Sequence, residues 1–331
     1  MGRRAGPGGA VIVVAIAAAV VSAAPEAQSP PKEPAAPATL RVVPKSRRMS
    51  TYTLGSRFEI TTRDITFEAP AAYQSGFDFW AGRMKGQRQS EVCEMVTITQ
   101  DADASGDVVF RRTIPKYDVE LQKQGEILSP GGSLEKTVAA LQWEGKLDPF
   151  GNVKEMHRVA GNDGGEVADL AIPEMSRVFP EMKGPVTLRV GDSFKEERIV
   201  RLPTKLGIKG LEHVTIQWVR EYILKSQQYD VATFEVKTTY ANDPAFKPEM
   251  DGTTCQIGGG GSGEALFEIK RGVFARTRLP TTMHIDIEAP LRPLPDQPAT
   301  NVTSVGKSHI QLDILLTGEQ TVKRAWGDDT D

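Results

Sequence analysis

Apolar and polar residues alternate along several stretches of the chain, and this two-residue period restricts the fold more than any other feature. Val214, Ile216 and Trp218 share one face of the first such stretch. Successive side chains of a β-strand point to opposite sides, so the period indicates strands with one buried face. A parallel sheet covered on both faces shows continuous apolar runs instead, so the alternation favours antiparallel pairing. Similar alternation occurs at 232–240, 285–287 and 310–314.

Two turn motifs recur with nearly the same spacing in the two halves of the chain. Asp-Val pairs at 107–108 and 230–231 each precede a predicted strand, and Gly151 and Gly272 each centre a predicted hairpin. The members of each pair are about 120 residues apart, which indicates an internal duplication. The predicted fold is therefore mainly β, with two related antiparallel curved sheets or half-barrels and one or two short helices.

Two short segments have helical patterns. Pro173 suits the first turn of a helix, Pro180 ends one, and the apolar residues between them share a face. Residues 134–141 predict a second helix, with Ser133 as its N-cap. The sequence leaves open whether these helices cover the core or act as lids over a cavity.

The amino terminus predicts export. Arg3 and Arg4 precede an apolar stretch at 10–21, and small residues follow at 22–24. This order is typical of a secretory signal, here cleaved after Ala23. The apolar stretch is shorter than the ~20 residues of a membrane span, so none is predicted in the mature chain. An uncleaved anchor or a buried helix is the alternative. The predicted location is the periplasm or the exterior of a bacterial cell.

Composition divides the rest of the chain. Residues 24–49 are rich in Pro and Ala, which predicts a linker that buries little apolar surface. A first β unit at 50–170, a helical connector at 171–182, a second β unit at 183–318 and a polar tail at 319–331 follow. The chain has 40 Lys+Arg, 43 Asp+Glu and a net charge of −3. This balance excludes nucleic acid and anionic lipid as partners held by charge alone.

The chain has two cysteines, Cys93 and Cys255. An exported protein meets an oxidising compartment, so a disulfide between them is predicted, with two buried free thiols as the alternative. Two cysteines without clustered histidines do not make a zinc site. The acidic loop at 162–169 also lacks the spacing of an EF-hand. The sequence therefore predicts no metal site.

The block Gly191-Asp192-Ser193 resembles the Gly-Asp-Ser block of a lipase-like hydrolase family, in which the serine is the nucleophile and an Asp-x-x-His supplies its partners. No histidine of this chain has an aspartate three residues earlier. A nucleophile without a placed base is a weak indication of catalysis. The block is therefore interpreted as a turn that leads into a strand.

The glycine run at 258–263 contains the pattern G-x-G-x-x-G. A dinucleotide site needs a strand before this pattern and a helix after it, whereas the residues that follow here alternate like a strand. The run is therefore interpreted as a mobile loop, and no cofactor is predicted.

Three short motifs at the centre of the chain carry a resemblance to a known family. A Phe-Pro turn at 178–180, a Pro-Val pair at 184–186 and a Gly-Asp-Ser-aromatic block at 190–194 occur in this order. The region resembles the centre of a family of uncharacterised secreted bacterial proteins, in which these motifs join two similar β halves. The resemblance implies a duplicated antiparallel β domain over about residues 55–290 and no particular activity. Its curved sheets are similar in outline to periplasmic carriers of lipoproteins and lipids.

These features predict a non-enzymatic exported protein that binds an apolar ligand (a lipid or a lipoprotein acyl chain) or a cell-envelope partner. The apolar strand faces could equally form a closed core. Two alternatives stay open: a secreted hydrolase that uses Ser193 with His213 or His284, and an envelope scaffold that pairs through its sheet edges. The predicted ligand-binding residues are Val214, Ile216, Trp218, Ala232, Phe234, Val236 and Phe267.

Overall fold

The computed structural model describes residues 39–43, 45, 48–130, 136, 138–161, 180–203, 213–246, 252–291 and 306–325. Within them the chain is mainly β with one 14-residue α-helix, which confirms the predicted fold class. The elements are β1 (Leu40–Val42), β2 (Thr51–Glu68), α1 (Ala71–Met84), β3 (Gln87–Ala102), β4 (Val108–Lys123), β5 (Glu126–Pro130), β6 (Gln142–Leu147), β7 (Val153–Ala160), β8 (Val186–Leu188), β9 (Ser193–Pro203), β10 (His213–Gln228), β11 (Val231–Asn242), β12 (Thr254–Glu268), β13 (Val273–Arg278), β14 (Thr281–Pro290) and β15 (Lys307–Ala325).

Some sequence predictions fall on parts of the chain that the structure does not describe. The signal at 1–23, the first predicted helix at 173–179 and the acidic loop at 162–169 lie outside the described residues. Of the second predicted helix, the described residues Lys136 and Val138 have helical backbone.

The described strands form one 13-stranded antiparallel sheet and a separate two-stranded ribbon. The order across the sheet is β7-β6-β4-β3-β2-β15-β13-β12-β11-β10-β9, with β14 pairing with β12 and β15 and with β5 pairing with β4. The two predicted halves therefore share a single sheet. They are joined by the long pairing of β2 with β15, which extends from Glu68 opposite His309 to Thr51 opposite Ala325.

Each half contains an antiparallel meander. β2, β3, β4, β6 and β7 follow one another across the first half, and β9 to β13 do so across the second. The repeated turn motifs lie at equivalent places in the two meanders. Asp107 and Asp230 directly precede β4 and β11, and Gly151 and Gly272 lie in the β6–β7 and β12–β13 hairpins. The duplication itself stays a prediction, because any two meanders share this order of neighbours.

The glycine run at 258–263 lies inside β12, so its interpretation as a mobile loop is wrong. β14 pairs with the first part of β12, and β13 pairs with its last part. Residues 279–280 connect β13 to β14. There a Cβ added to Gly261 would lie 2.1 Å from the carbonyl oxygen of Pro280. Only glycine permits so close an approach of two backbones. The run therefore serves packing, not flexibility.

Two segments outside the predicted β units also form strands. β1 lies near the end of the predicted linker at 24–49, pairs with β8 and buries Leu40 and Val42. β15 continues into the predicted polar tail at 319–331, where Val322 is buried. Both boundaries differ from the prediction because two or three apolar residues are too few to show a period.

Helix α1 connects β2 to β3 and has no counterpart in the sequence prediction. Its two glycines and scattered aromatic residues conceal a helical period. Two hydrogen bonds of Gln74 connect the first turn of the helix to the end of β2. The Ala69 amide donates to Gln74 Oε1, and Gln74 Nε2 donates to the Phe67 carbonyl oxygen, both at 2.9 Å. Met84 at its other end is buried against the sheet. Contacts with the sheet therefore stabilise this helix more than its own pattern does.

Cys93 and Cys255 are both free and buried, so the predicted disulfide is absent and the alternative of two free thiols is observed. Cys93 on β3 shares a hydrophobic cluster with Met95, whereas Cys255 on β12 shares another with Met283. β2, β15 and β14 lie between these two strands in the sheet, and a disulfide needs Cα atoms within about 7 Å. Burial raises the pKa of Cys93 to about 12 and that of Cys255 to about 11, so both thiols stay protonated near neutral pH.

The buried carboxyl of Glu91 on β3 lacks a cationic partner among the described contacts. Gln89 Nε2 donates to its Oε1 at 2.5 Å, and the Tyr117 hydroxyl donates to its Oε2 at 3.2 Å. Burial raises its pKa above the ordinary 4.5, and these two hydrogen bonds oppose the rise. The protonated form therefore suits the fold better than the charged one.

We expect Glu91→Gln to stabilise the protein near neutral pH. A carboxyl with a raised folded-state pKa stabilises the fold fully below its unfolded pKa, and this contribution is lost as the pH rises through the folded pKa. The gain of the variant over the wild type should therefore be largest at about pH 8 and shrink towards about pH 4. Urea unfolding across this range measures it, with the exposed Glu126→Gln as control. A variant less stable than the wild type at about pH 8 would contradict the assignment.

Candidate functional site

The seven predicted ligand-binding residues are divided between two hydrophobic clusters. Val214, Ile216 and Trp218 belong to the helix-side cluster, which includes Met84 of α1 and inward side chains of β2, β14 and β15. The other four belong to the ribbon-side cluster, which includes Leu40 of the β1–β8 ribbon. The structure thus places the seven on one face of the sheet, but not around a single space. Those in the ribbon-side cluster are Ala232, Phe234, Val236 and Phe267.

The ribbon-side cluster is closely packed around aromatic rings. Phe194 stacks on Tyr222 with ring centroids 4.8 Å apart, and Phe274 lies 5.7 Å from Phe234 and 5.0 Å from Phe267. Such distances are those of favourable aromatic pairs. The side chains of Phe234 and Phe267 have no exposed surface. These residues have the environment of a closed core, which was the alternative interpretation of the same faces.

A polar belt separates the two clusters on the inward face of β9, β10 and β11. It consists of Glu196, Arg198, Arg220 and Thr238. Along each of these strands, the belt lies between a residue of the ribbon-side cluster and a residue of the helix-side cluster. On β10, for example, Arg220 lies between Tyr222 and Trp218. Glu196, Arg198 and Thr238 are buried, and Arg220 is partly buried.

Belt residues contact one another and the neighbouring aromatic side chains of β10. Arg198 forms an ion pair with Glu196, whose Oε2 also accepts a hydrogen bond of 3.4 Å from the Tyr222 hydroxyl. Burial raises the pKa of Tyr222 to about 12, and the charge of Glu196 adds to this effect. The Arg220 guanidinium lies 3.9 Å from the centroid of the Trp218 ring, close enough for a cation–π interaction.

Trp218 Nε1 and Thr238 Oγ1 are buried polar atoms of this region that have no hydrogen-bond partner among the described residues. Trp218 is 8% exposed and Thr238 is 3% exposed, so solvent reaches neither atom freely. Buried polar groups are normally paired with protein, water or a ligand. The sequence predicts Trp218 as a binding residue but does not predict the belt. The available signal was charge at positions 196 and 198, which should be apolar if β9 simply alternated.

A second polar region lies on the outer face of the sheet, behind the helix-side cluster. Three residues on each of three neighbouring strands form this outer patch, with β15 in the middle. Asp313 faces His284 and Asp64, Gln311 faces Asp286 and Thr66, and His309 faces Glu288 and Glu68. The patch therefore combines two histidines with several carboxylates.

Hydrogen bonds tie each histidine of the outer patch to a carboxylate. His284 Nδ1 lies 2.5 Å from Asp313 Oδ1, and His309 Nε2 lies 2.9 Å from Asp286 Oδ1. Gln311 Nε2 donates to Asp286 Oδ2 at 3.0 Å, and this bond, with His309, lowers the pKa of Asp286. Six of the nine patch residues, together with Ile65, Ile285 and Leu312, line a cavity of about 240 Å³. Sequence reasoning named only His284 of this patch.

The chemistry available to the outer patch is the binding of cationic groups by its carboxylates. A carboxylate bonded to each histidine also orients the imidazole ring. Across the described ranges, no His, Cys, Asp and Glu side chains form a group of three able to hold a metal ion.

Ser193 and His213 lie at opposite ends of the β9–β10 pairing, where Ser193 is opposite Ile223 and His213 is opposite Pro203. The turn at Val190 and Gly191 leads into β9, as the sequence predicts, and the Asp192 amide donates to the Arg189 carbonyl oxygen at 2.9 Å. The Ser193 hydroxyl donates to Glu221 Oε1 at 2.9 Å. The structure therefore does not bring Ser193 together with His284, which is bonded to Asp313.

No family model matches the chain, and no curated protein is significantly similar to it. The resemblance based on residues 178–194 stays a prediction. No helix within the described part of the chain is long and apolar enough to cross a membrane.

Proposed function

We propose that this chain is an exported binding protein whose outer patch recognises a basic segment of a cell-envelope partner. The observation that carries the proposal is the concentration of two His–Asp pairs and further carboxylates in one outer patch, part of which lines a cavity. Lys85 and Lys307 at the margin pair with Asp64 and Glu288, and these exposed pairs exchange easily for charges from a partner. Export rests on the signal at 1–23.

An apolar ligand is the second class that the sequence suggests. The seven residues expected to contact it are divided between two clusters. The described cavity lies on the opposite face of the sheet, and charged and polar residues make up most of its lining residues. An acyl chain would have to displace packed aromatic side chains to enter the ribbon-side cluster. The geometry therefore supports an envelope partner better than a lipid carrier.

The two remaining alternatives have less support. A hydrolase built on Ser193 and His284 would require both side chains to leave their present carboxylate partners. A scaffold that pairs through its edges would use β7 and β9, which end the sheet as described. Neither edge carries a feature that specifies a partner.

Site-specific photo-crosslinking in the producing cell tests the outer patch. We expect a photoreactive residue at Gln311 to give discrete adducts with an envelope protein, whereas one at the exposed Lys195 should give none. Asp286→Asn with Asp313→Asn should reduce the adduct about tenfold, because charged pairs across an interface carry this much affinity.

The matched control neutralises two exposed carboxylates elsewhere, Asp118→Asn with Glu155→Gln, and should leave the adduct unchanged. Equal labelling from Gln311 and Lys195, or an adduct that survives neutralisation of the patch, would refute the proposal.

A further inference from the structure

We infer that the polar belt contains a second, interior binding site, which receives an oxyanion group such as a carboxylate or a phosphate between Trp218, Arg220 and Thr238. This inference is independent of the partner proposed for the outer patch. The two regions lie on opposite faces of the sheet and share no residue.

The placement of the three side chains supports one shared acceptor. Thr238 lies directly opposite Arg220 in the β10–β11 pairing, and Trp218 is two residues before Arg220 on the same face. Diagonal neighbours of this kind lie about 7–8 Å apart at their Cα atoms, within reach of long side chains. The Arg220 guanidinium lies 3.9 Å from the centroid of the Trp218 ring, so the cation and the two donors occupy one part of the inward face.

The chemistry of the atoms selects an acceptor. The indole Nε1–H can only donate, and the threonine hydroxyl can also donate. Leaving such groups unpaired in the interior is unfavourable, because each has lost its hydrogen bonds to water. An oxyanion offers several acceptor oxygens at once and is favoured by a nearby guanidinium. A neutral apolar ligand would leave both atoms unpaired.

The belt also has the surroundings that such a ligand needs. Arg220 is only partly buried, so one side of the belt reaches solvent. Apolar clusters adjoin the belt on both sides. A free phosphate would use the polar atoms alone, whereas a fatty acid would also place its chain against a cluster. Phosphate and a fatty acid therefore share the oxyanion group and differ in the rest of the molecule.

Calorimetric titration of the detergent-free full chain with inorganic phosphate and with palmitate tests the site. We expect one of these probes to bind. Thr238→Val and Trp218→Phe should each weaken that probe about 10- to 100-fold, the effect of one hydrogen bond to a charged group. Binding of palmitate alone would identify an anionic amphiphile, and binding of phosphate would identify a small oxyanion; either supports the site.

Thermal unfolding of the ligand-free variants separates binding from folding. Thr238→Val removes an unpaired hydroxyl and should leave the melting temperature unchanged or raise it. The matched control Thr99→Val removes a buried hydroxyl that is bonded to the Ser50 backbone, and it should lower the melting temperature. Unchanged affinity in both belt variants overturns the inference. So does a wild type that binds neither probe, because ordered water would then satisfy the two atoms.

Discussion

Gly261→Ala is expected to destabilise the protein by about 3 kcal/mol, the upper end of the usual cost of overpacking, because the new methyl group meets backbone that has no room to move. Its Cβ would lie 2.1 Å from the carbonyl oxygen of Pro280 and 2.8 Å from the Cα of Thr281. A flexible side chain could rotate away, but a carbonyl held between two strands cannot. The chain from β13 to β14 would have to separate from β12. Equilibrium unfolding in urea measures the loss.

Gly258→Ala provides the control on the same strand, since an added Cβ there meets nothing within 4 Å. This variant should be about as stable as the wild type or slightly more stable, because alanine restricts the unfolded chain. Equal stability of the two variants would show that the backbone at Pro280 and Thr281 does not pack closely against β12. The interpretation of the run as a mobile loop would then regain support.

Phe234→Ala should cost about 3–5 kcal/mol, the usual range for truncating a fully buried aromatic residue. Its ring lies between Phe194, at 6.0 Å, and Phe274, at 5.7 Å, and has no exposed surface. Chemical denaturation of purified protein measures the change.

The matched control is Phe79→Ala on α1, whose side chain is 69% exposed and which should change stability by less than about 0.5 kcal/mol. If Phe234 instead lined a ligand cavity, its truncation would change the stability of the ligand-free protein little and would reduce lipid retention. That pattern would restore the apolar carrier as the preferred function.

The sequence by itself determined the class of fold and the identity of most strands. The alternation at 214–224 and 232–240 becomes the β10–β11 hairpin, and Ile285 and Ile287 pair with Leu312 and Ile310 as one buried face. Period-two patterning is a local property, so it can be recognised without knowing which strands are neighbours. For the same reason, the turn at Gly191 was predicted from a few adjacent residues.

Tertiary structure alone decided what the polar residues do. The outer patch combines β2 with β14 and β15, so Asp64 meets residues near 313 that no local pattern connects to it. The belt depends on Glu196 and Arg198 facing inward, which follows from the pairing of β9 with β10. The glycine run at 258–263 packs closely because another strand crosses it. Each of these depends on strand register and order, which long-range pairing sets and a single sequence does not encode locally.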